Sequence, residues 1–225
     1  MSDTIELLDM QRVAGDPALR SEVVDLFDDS FNATGPRDWA FGWSPEEVDR
    51  FIFSKPSSGT EFVFCRVGGE LVAGGMFSVG KTREVYVPGD VTYSELEAHY
   101  ESIVHFIEDE AIGGIVAYYH FIATKPSHQG SARLLLGVMR AMTRRMQELI
   151  DEGVDIRTVA CRTKRGYAFY RIFNALFADG PVMLYDCSHN GVVILTCPAD
   201  VTIRLFENSD REIARVIRKR GKTEA

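Results

Sequence analysis

Apolar residues along this chain follow two spacings, one typical of strands and one typical of helices. Short apolar or alternating runs predict seven strands, at residues 5–10, 62–67, 71–79, 115–123, 155–162, 182–186 and 192–197. Apolar residues three or four positions apart predict a helix within 16–31, another over 92–110, and a long one with Leu135, Met142 and Leu149 on one face. Strands and helices therefore alternate along the chain, which predicts a mixed α/β fold.

Local signals place several of the boundaries. Ser44 is followed by Pro45 and, three residues on, by Glu47, which is the pattern of a capping box at a helix start. Gly68 and Gly69 separate two predicted strands and indicate a hairpin, and residues 188–191 indicate a second one. Strands joined by such short turns run antiparallel, so the predicted sheet cannot be wholly parallel.

The chain shows no internal repeat, low-complexity segment or linker, so its sequence predicts a single domain over residues 1–225. Its last segment, 210–222, is basic and compatible with a helix. We interpret it as a solvated terminal helix, and contact with an acidic surface or nucleic acid stays open as the alternative.

Composition narrows the classes of protein. Hydrophobic residues make up 45% of the chain and charged residues 26%, which is typical of a globular protein. The net charge of −8 argues against nucleic acid as the main partner and suits a cationic amine. No apolar run has the length of a membrane span, and no signal pattern opens the chain. The four cysteines lack metal-site spacing, so we expect buried reduced thiols, no metal and a cytoplasmic location.

Residues 122–134 carry the strongest chemical signal. A predicted strand leads to Pro126, then to a short turn with Gln129 and Gly130, and then to the start of the long helix. The first N–H groups of a helix have no partner within it and carry the positive end of its dipole. A turn that directs these groups outward predicts an anion site, suited above all to a pyrophosphate.

This segment resembles the acyl-CoA-binding turn of the GNAT superfamily of N-acyltransferases. The family shows a strand, Val-x-Pro, two residues, Arg or Gln, and then Gly-x-Gly-x-Gly or Ala. Pro126, Gln129 and Gly130 match this pattern, whereas Ala132 and Leu134 replace the second glycine and the final small residue. Leu134 would crowd a bound phosphate if its side chain faced it.

A second segment resembles the same family. After its fifth strand the family places Asn-x-x-Ala-x-x-Phe-Tyr, and here Thr163, Gly166, Phe169 and Tyr170 occupy those four positions. Only the Phe-Tyr pair is identical. The two motifs occur in the family's order, about 30 residues apart.

The resemblance implies a fold class and a reaction. The fold would be an α/β (α+β) domain with a mixed, mostly antiparallel sheet of about seven strands flanked by helices, splayed between strands 4 and 5. A helix near 82–112 would be an insertion. The protein would transfer an acyl group, expected to be acetyl, from acetyl-CoA or another acyl-CoA to an amine of a small molecule or peptide, with a homodimer left open.

The resemblance also assigns binding residues. The fourth-strand backbone, the phosphate-binding turn and the start of the following motif would hold the acyl-CoA; these are Ile122, Ala123, Thr124, Gln129, Gly130, Ser131, Ala132, Arg133 and Thr163. The acceptor pocket would include Trp39, Phe41, Trp43 and Tyr118. Aromatic core packing accounts for these aromatic residues equally well.

Two residues are candidates for proton transfer. His120 lies six residues before Pro126, where the family commonly has a glutamate as general base, and a histidine titrates near neutrality. Tyr170 lies where the family often has a tyrosine beside the thioester sulfur. The alternatives are a buried structural histidine and a tyrosine that serves core packing.

Two other functions stay open at this stage. Leu134 and the missing glutamate would suit a non-catalytic acyl-CoA-binding or regulatory domain. An acyltransferase that takes its acyl group from an acyl carrier protein would need a basic docking patch, which Lys125, Arg133, Lys164 and Arg165 could supply.

Overall fold

Seven strands form one mixed sheet within residues 3–30, 43–54, 59–86, 99–128, 131–164, 170, 183–186 and 192–208, the part of the chain that the computed structural model describes. The strands are β1 (Asp3–Asp9), β2 (Thr60–Val67), β3 (Glu70–Gly80), β4 (Ile115–Thr124), β5 (Ile156–Lys164), β6 (Met183–Asp186) and β7 (Val192–Pro198). Their order across the sheet is β1-β2-β3-β4-β5-β7-β6. The pair β4 and β5 is parallel, and helices flank the sheet, which confirms the predicted fold class.

The helices follow in chain order. They are α1 (Met10–Gly15), α2 (Pro17–Asp28), α3 (Pro45–Phe53), α4 (Thr82–Val85), α5 (Tyr100–Ala111), α6 (Ala132–Asp151) and α7 (Ala199–Asn208), with a 3₁₀ turn at Pro126–His128. None of these helices is long and apolar enough to cross a membrane.

Residue contacts divide the chain into two compact units. The first comprises Met1–Ser78 and Tyr119–Met142, and the second comprises Val79–Tyr118 and Thr143–Ala225. The domain arrangement expected from the sequence, one domain over 1–225, stays a prediction.

The first unit is built on the antiparallel strands β1, β2 and β3. Their pairing places Leu8 opposite Phe62, and Phe62 opposite Met76. Helices α2 and α3 bury their apolar faces in the same core, where Phe27 contacts Phe121 edge-on with 4.1 Å between ring centroids. The predicted capping box of α3 is present: Ser44 accepts from the backbone N–H of Glu47, and the Glu47 carboxylate accepts from that of Ser44.

Gly75 allows close packing within the first unit. A Cβ at this position would lie 2.8 Å from Met142 Sδ and 2.9 Å from Val138 Cγ1, both on α6. These separations are shorter than a van der Waals contact, so α6 approaches β3 at a distance that only glycine permits.

The second unit has its own core. Helix α5 buries Ile103, Val104, Ile107 and Ala111, and the residue after its end, Ile112, adopts a left-handed conformation with φ of 50°. Strands β5, β7 and β6 pair antiparallel in that order, which confirms the second predicted hairpin. Cys161 and Cys197 are buried on β5 and β7 as reduced thiols, as Cys65 is on β2 of the first unit, and all three match the sequence expectation.

Some element boundaries differ from the prediction. The first strand was expected to include Met10, but Asp9 instead caps α1, its carboxylate accepting from the backbone N–H of Arg12 at 2.7 Å. The helices α1 and α7 have no counterpart in the sequence prediction, and α4 lies within the helical insertion expected near 82–112. The predicted helix over 92–110 is observed as α5 from Tyr100, and residues 92–98 and the predicted terminal helix at 210–222 lie outside the described residues.

Candidate functional site

The two sides of β4 differ in their exposure. Phe121 and Ala123 are buried in the core of the first unit, whereas His120, Ile122 and Thr124 are partly exposed. Side chains alternate across a strand, so these last three residues share one side of β4. His120 and Ile122 therefore lie on the same side of β4, which is less buried than the side that carries Phe121 and Ala123.

A chain of hydrogen bonds joins His120 to two hydroxyl groups. The Nε2 atom of His120 lies 2.7 Å from the Oγ of Ser78 on β3, and this Oγ lies 2.6 Å from the Oγ1 of Thr60 on β2. Thr60 and Ser78 are directly opposite in the antiparallel register, and each is only 1% exposed. The imidazole is thus anchored on one side by a buried pair of hydroxyls.

The turn after β4 is tied to the first hairpin. The backbone N–H of Lys125 donates to the carbonyl oxygen of Val72 at 2.8 Å, and its ammonium group lies 3.0 Å from Glu70 Oε1. The hydrogen bond from Lys125 lowers the pKa of the Glu70 carboxyl. This double attachment fixes the point where the chain leaves the sheet.

Helix α6 starts directly after this turn. Ser131 is its cap: the backbone N–H of Leu134 reaches the carbonyl oxygen of Ser131 at 3.1 Å and its Oγ at 3.4 Å. The strand, turn and helix start predicted from the sequence are therefore present. Gln129 and Gly130, the two residues that carry the motif, lie outside the described residues.

Leu134 does not obstruct the start of α6. Its side chain is 6% exposed and packs into the interior, whereas the neighbouring Arg133 is exposed. The steric conflict with a phosphate, which would require Leu134 to face outward, is absent.

The remaining predicted site residues have separate surroundings. Trp43 is partly buried and packs on Phe51 of α3, with 5.1 Å between ring centroids. Trp39 and Phe41 lie outside the described residues, as does much of the segment around Tyr170, which is itself helical and partly buried.

The second unit contains Tyr118, Thr163 and Tyr170. Tyr118 is 2% exposed and packs against Tyr86, with 5.3 Å between ring centroids. Thr163 is 4% exposed on β5 and pairs with Val193. The side chain of Tyr118 is therefore part of the buried aromatic core of the second unit.

Sequence reasoning missed Thr60 and Ser78, because neither lies in a motif and each is far along the chain from His120. The signal that could have found Ser78 is a hydroxyl residue within an apolar strand, whereas Thr60 lies just before the predicted strand 62–67. Among the described residues, no group of His, Cys, Asp or Glu is arranged to hold a metal ion.

Comparison with solved structures identifies the fold. A polyamine N-acetyltransferase from Drosophila melanogaster, which forms N-acetylagmatine, shares 13% identity over 88% of this chain and 100% of its own, with a TM-score of 0.53. A mutant apo form of an agmatine N-acetyltransferase shares 12% identity over 88% and 100% of the two chains, with a TM-score of 0.51. A GNAT family acetyltransferase from Brucella melitensis, in complex with acetyl-CoA, shares 13% identity over 88% of each chain, with a TM-score of 0.47.

No protein-family model and no curated protein sequence matches the chain. The fold assignment rests on the two structures with TM-scores above 0.5, together with the strand order and the parallel pair of β4 and β5. The resemblance expected from the sequence is confirmed at the level of architecture: the chain has the fold of the GNAT superfamily of N-acyltransferases.

Proposed function

We propose that this protein transfers an acyl group, expected to be acetyl, from an acyl-CoA to the amine of a small molecule or peptide. The observation that carries this proposal is the passage from β4 through the Lys125 turn to the capped start of α6, within a GNAT fold. The N–H groups of a helix start form an anion site, and burial of Leu134 leaves room beside them.

The chain's own residues supply what an acyl transfer to an amine requires. A bound acyl-CoA would provide an activated acyl group in the form of a thioester. The helix start, with Gln129, Gly130, Ser131, Ala132 and Arg133, would hold its pyrophosphate, and the backbone of Ile122, Ala123 and Thr124 would hold its extended arm. Backbone groups make these contacts, so the substitution of Ala132 for glycine is compatible with them.

Two side chains handle the protons. His120 accepts the proton that the amine loses, directly or through a water molecule, and its place two residues before Ile122, on the same side of β4, supports this role. The hydroxyl of Tyr170 protonates the departing thiolate. Acid–base assistance of this kind contributes about 10²- to 10⁴-fold to a rate.

The test measures binding and turnover separately. Calorimetry with a panel of acyl-CoA esters should detect binding, and Gly130→Trp should abolish it while the circular dichroism spectrum is unchanged. Release of free thiol in the presence of pooled amines should then report acyl transfer. Failure of the wild-type protein to bind any CoA ester at millimolar concentration would overturn the proposal.

His120→Ala separates an enzyme from a binding domain. We expect a lower kcat with nearly unchanged acyl-CoA affinity, because backbone groups hold the acyl-CoA. The kcat/KM of the wild type should rise with pH as the imidazole becomes neutral, and the variant should lose that rise. Binding without turnover in the wild type would instead support the non-catalytic acyl-CoA-binding domain.

A further inference from the structure

We infer that Ser78 and Thr60 are positioning residues for His120, and that their two hydroxyls hold its ring and select its tautomer. The inference starts from three atoms on three adjacent strands: Thr60 Oγ1, Ser78 Oγ and His120 Nε2, joined at 2.6 Å and 2.7 Å. It deepens the proposed function, since the importance of the tautomer for turnover rests on His120 acting as the base.

The location of the two hydroxyls restricts what they can do. Thr60 and Ser78 are each 1% exposed, so an acceptor amine cannot reach either hydroxyl. Neither residue can therefore be the base, and in the proposed reaction the imidazole of His120 itself must take up the proton. What the pair can do is fix the plane of the ring and the hydrogen on Nε2.

A hydroxyl is suited to this task because it both donates and accepts. When the ring is neutral, Nε2–H can donate to Ser78, and Ser78 can then donate to Thr60. When the ring is protonated, Nδ1 has gained the hydrogen, and Nε2 and Ser78 still donate in the same direction. One chain of hydrogen bonds thus accommodates both states with the heavy atoms in place.

Such a chain favours one direction at a time, because each hydroxyl has a single hydrogen and hydrogen bonds in a chain polarise one another. The neutral ring should accordingly carry its hydrogen mainly on Nε2, the nitrogen bonded to Ser78, so that Nδ1 is the nitrogen that accepts a proton. Without Ser78, nothing in this chain of contacts would select that tautomer. This expectation gives the proposal a readout that a structural role in the core would not produce.

The experiment is ¹⁵N NMR of the histidine side chains, combined with kinetics. The protein has five histidines, so the signals of His120 are identified by their loss in His120→Ala. At a pH where the ring is neutral, the wild type should show one dominant tautomer, and Ser78→Ala should shift the population toward a mixture. The kcat should fall on the order of 10- to 100-fold, as for loss of a hydrogen bond to a charged group, with acyl-CoA affinity unchanged.

Two variants at position 60 test the same chain of hydrogen bonds if Ser78→Ala does not fold. Thr60→Ser keeps the hydroxyl and should keep the wild-type tautomer, whereas the isosteric Thr60→Val should shift it in the direction of Ser78→Ala. Thr196→Val provides the control, since Thr196 is another strand threonine at 1% exposure, in the second unit. It should leave the tautomer and kcat unchanged.

The outcomes separate this inference from the proposed function. An unchanged tautomer in both Ser78→Ala and Thr60→Val would overturn the positioning role, whatever the activity. A shifted tautomer in a protein whose turnover does not depend on His120 would confirm the positioning of the ring and overturn its role as base.

Discussion

In the proposed mechanism, an imidazole at position 120 takes the role of general base that the resemblance to the GNAT family would give to a glutamate. A carboxylate base is anionic before it takes a proton, whereas an imidazole is neutral before and cationic after. Neutral hydroxyls such as those of Ser78 and Thr60 suit an imidazole, because they can stabilise the cation without charging the resting state. The neutral hydroxyl of Ser78 on β3 is therefore a suitable hydrogen-bond partner for an imidazole at position 120 on β4.

Tyr170→Phe tests the acid at the residue scale. The change removes one hydroxyl and little volume, so folding should be preserved. If Tyr170 protonates the leaving thiolate, kcat should fall about 10²- to 10⁴-fold while acyl-CoA affinity stays constant. Steady-state release of free thiol measures the first quantity, and calorimetry measures the second.

The control for this prediction is Tyr185→Phe. The hydroxyl of Tyr185 lies 3.3 Å from Nδ1 of His99, so the variant also removes a partly buried phenol hydroxyl from the second unit. Its turnover should match that of the wild type. Equal turnover in Tyr170→Phe and the wild type would show that the Tyr170 hydroxyl is not the acid and would favour a role in core packing.

At the scale of elements, the contact between α6 and β3 depends on one missing methyl group. Gly75→Ala would place a Cβ 2.8 Å from Met142 Sδ and 2.9 Å from Val138 Cγ1, with the carbonyl oxygen of Phe121 at 3.3 Å. We expect a loss of about 1–3 kcal/mol in the free energy of unfolding, typical of an overpacked core. Thermal denaturation should show a lower Tm, by about 2–4 °C per kcal/mol at this chain length.

Gly15→Ala is the matched control, because a Cβ at position 15 would meet nothing within 4 Å. Gly15 is the last residue of α1, where alanine should leave Tm unchanged or raise it slightly. If Gly75→Ala and Gly15→Ala had equal Tm values, α6 would not depend on the absence of a side chain at position 75.

Elements with strong local signals were predictable from the sequence. The capping box at Ser44 and the two hairpins depend on residues close along the chain, and all are observed. Helix α1 was missed because it has six residues, of which only Met10 and Val13 are buried. Helix α7 was missed although Ala199, Ile203 and Phe206 have helical spacing, because it follows the apolar strand β7 directly, with no turn to mark its start.

The candidate site was predictable where its residues are neighbours in sequence. His120, Ile122 and the start of α6 follow from one motif, and their placement on β4 and α6 agrees with it. The contact between Ser78 and His120 joins residues 42 positions apart. Such a contact depends on which strands are adjacent and on their register, and neither is encoded in any local pattern.

At the scale of the whole molecule, ionisation is coupled to folding. Burial raises the pKa of the Cys161 thiol, with a further contribution from Cys197, and burial also raises the pKa of Cys197, to about 11. A thiol whose pKa is higher in the folded state than in the unfolded state stabilises the fold fully below the unfolded value. That stability is lost as pH rises from about 9 through the folded value.

The free energy of unfolding should therefore decrease in alkali, by up to about 1.4 kcal/mol per pH unit for each thiol. Urea denaturation at a series of pH values from neutral to about 11 measures this slope. The variant with both Cys161→Ala and Cys197→Ala should be less stable at neutral pH, because it loses buried volume, yet its stability should decline less steeply in alkali. Other groups that titrate there, such as Tyr100 with its raised pKa, act equally in both proteins and cancel in the comparison. Parallel curves for the wild type and the double variant would show that the two thiols do not carry the alkaline sensitivity.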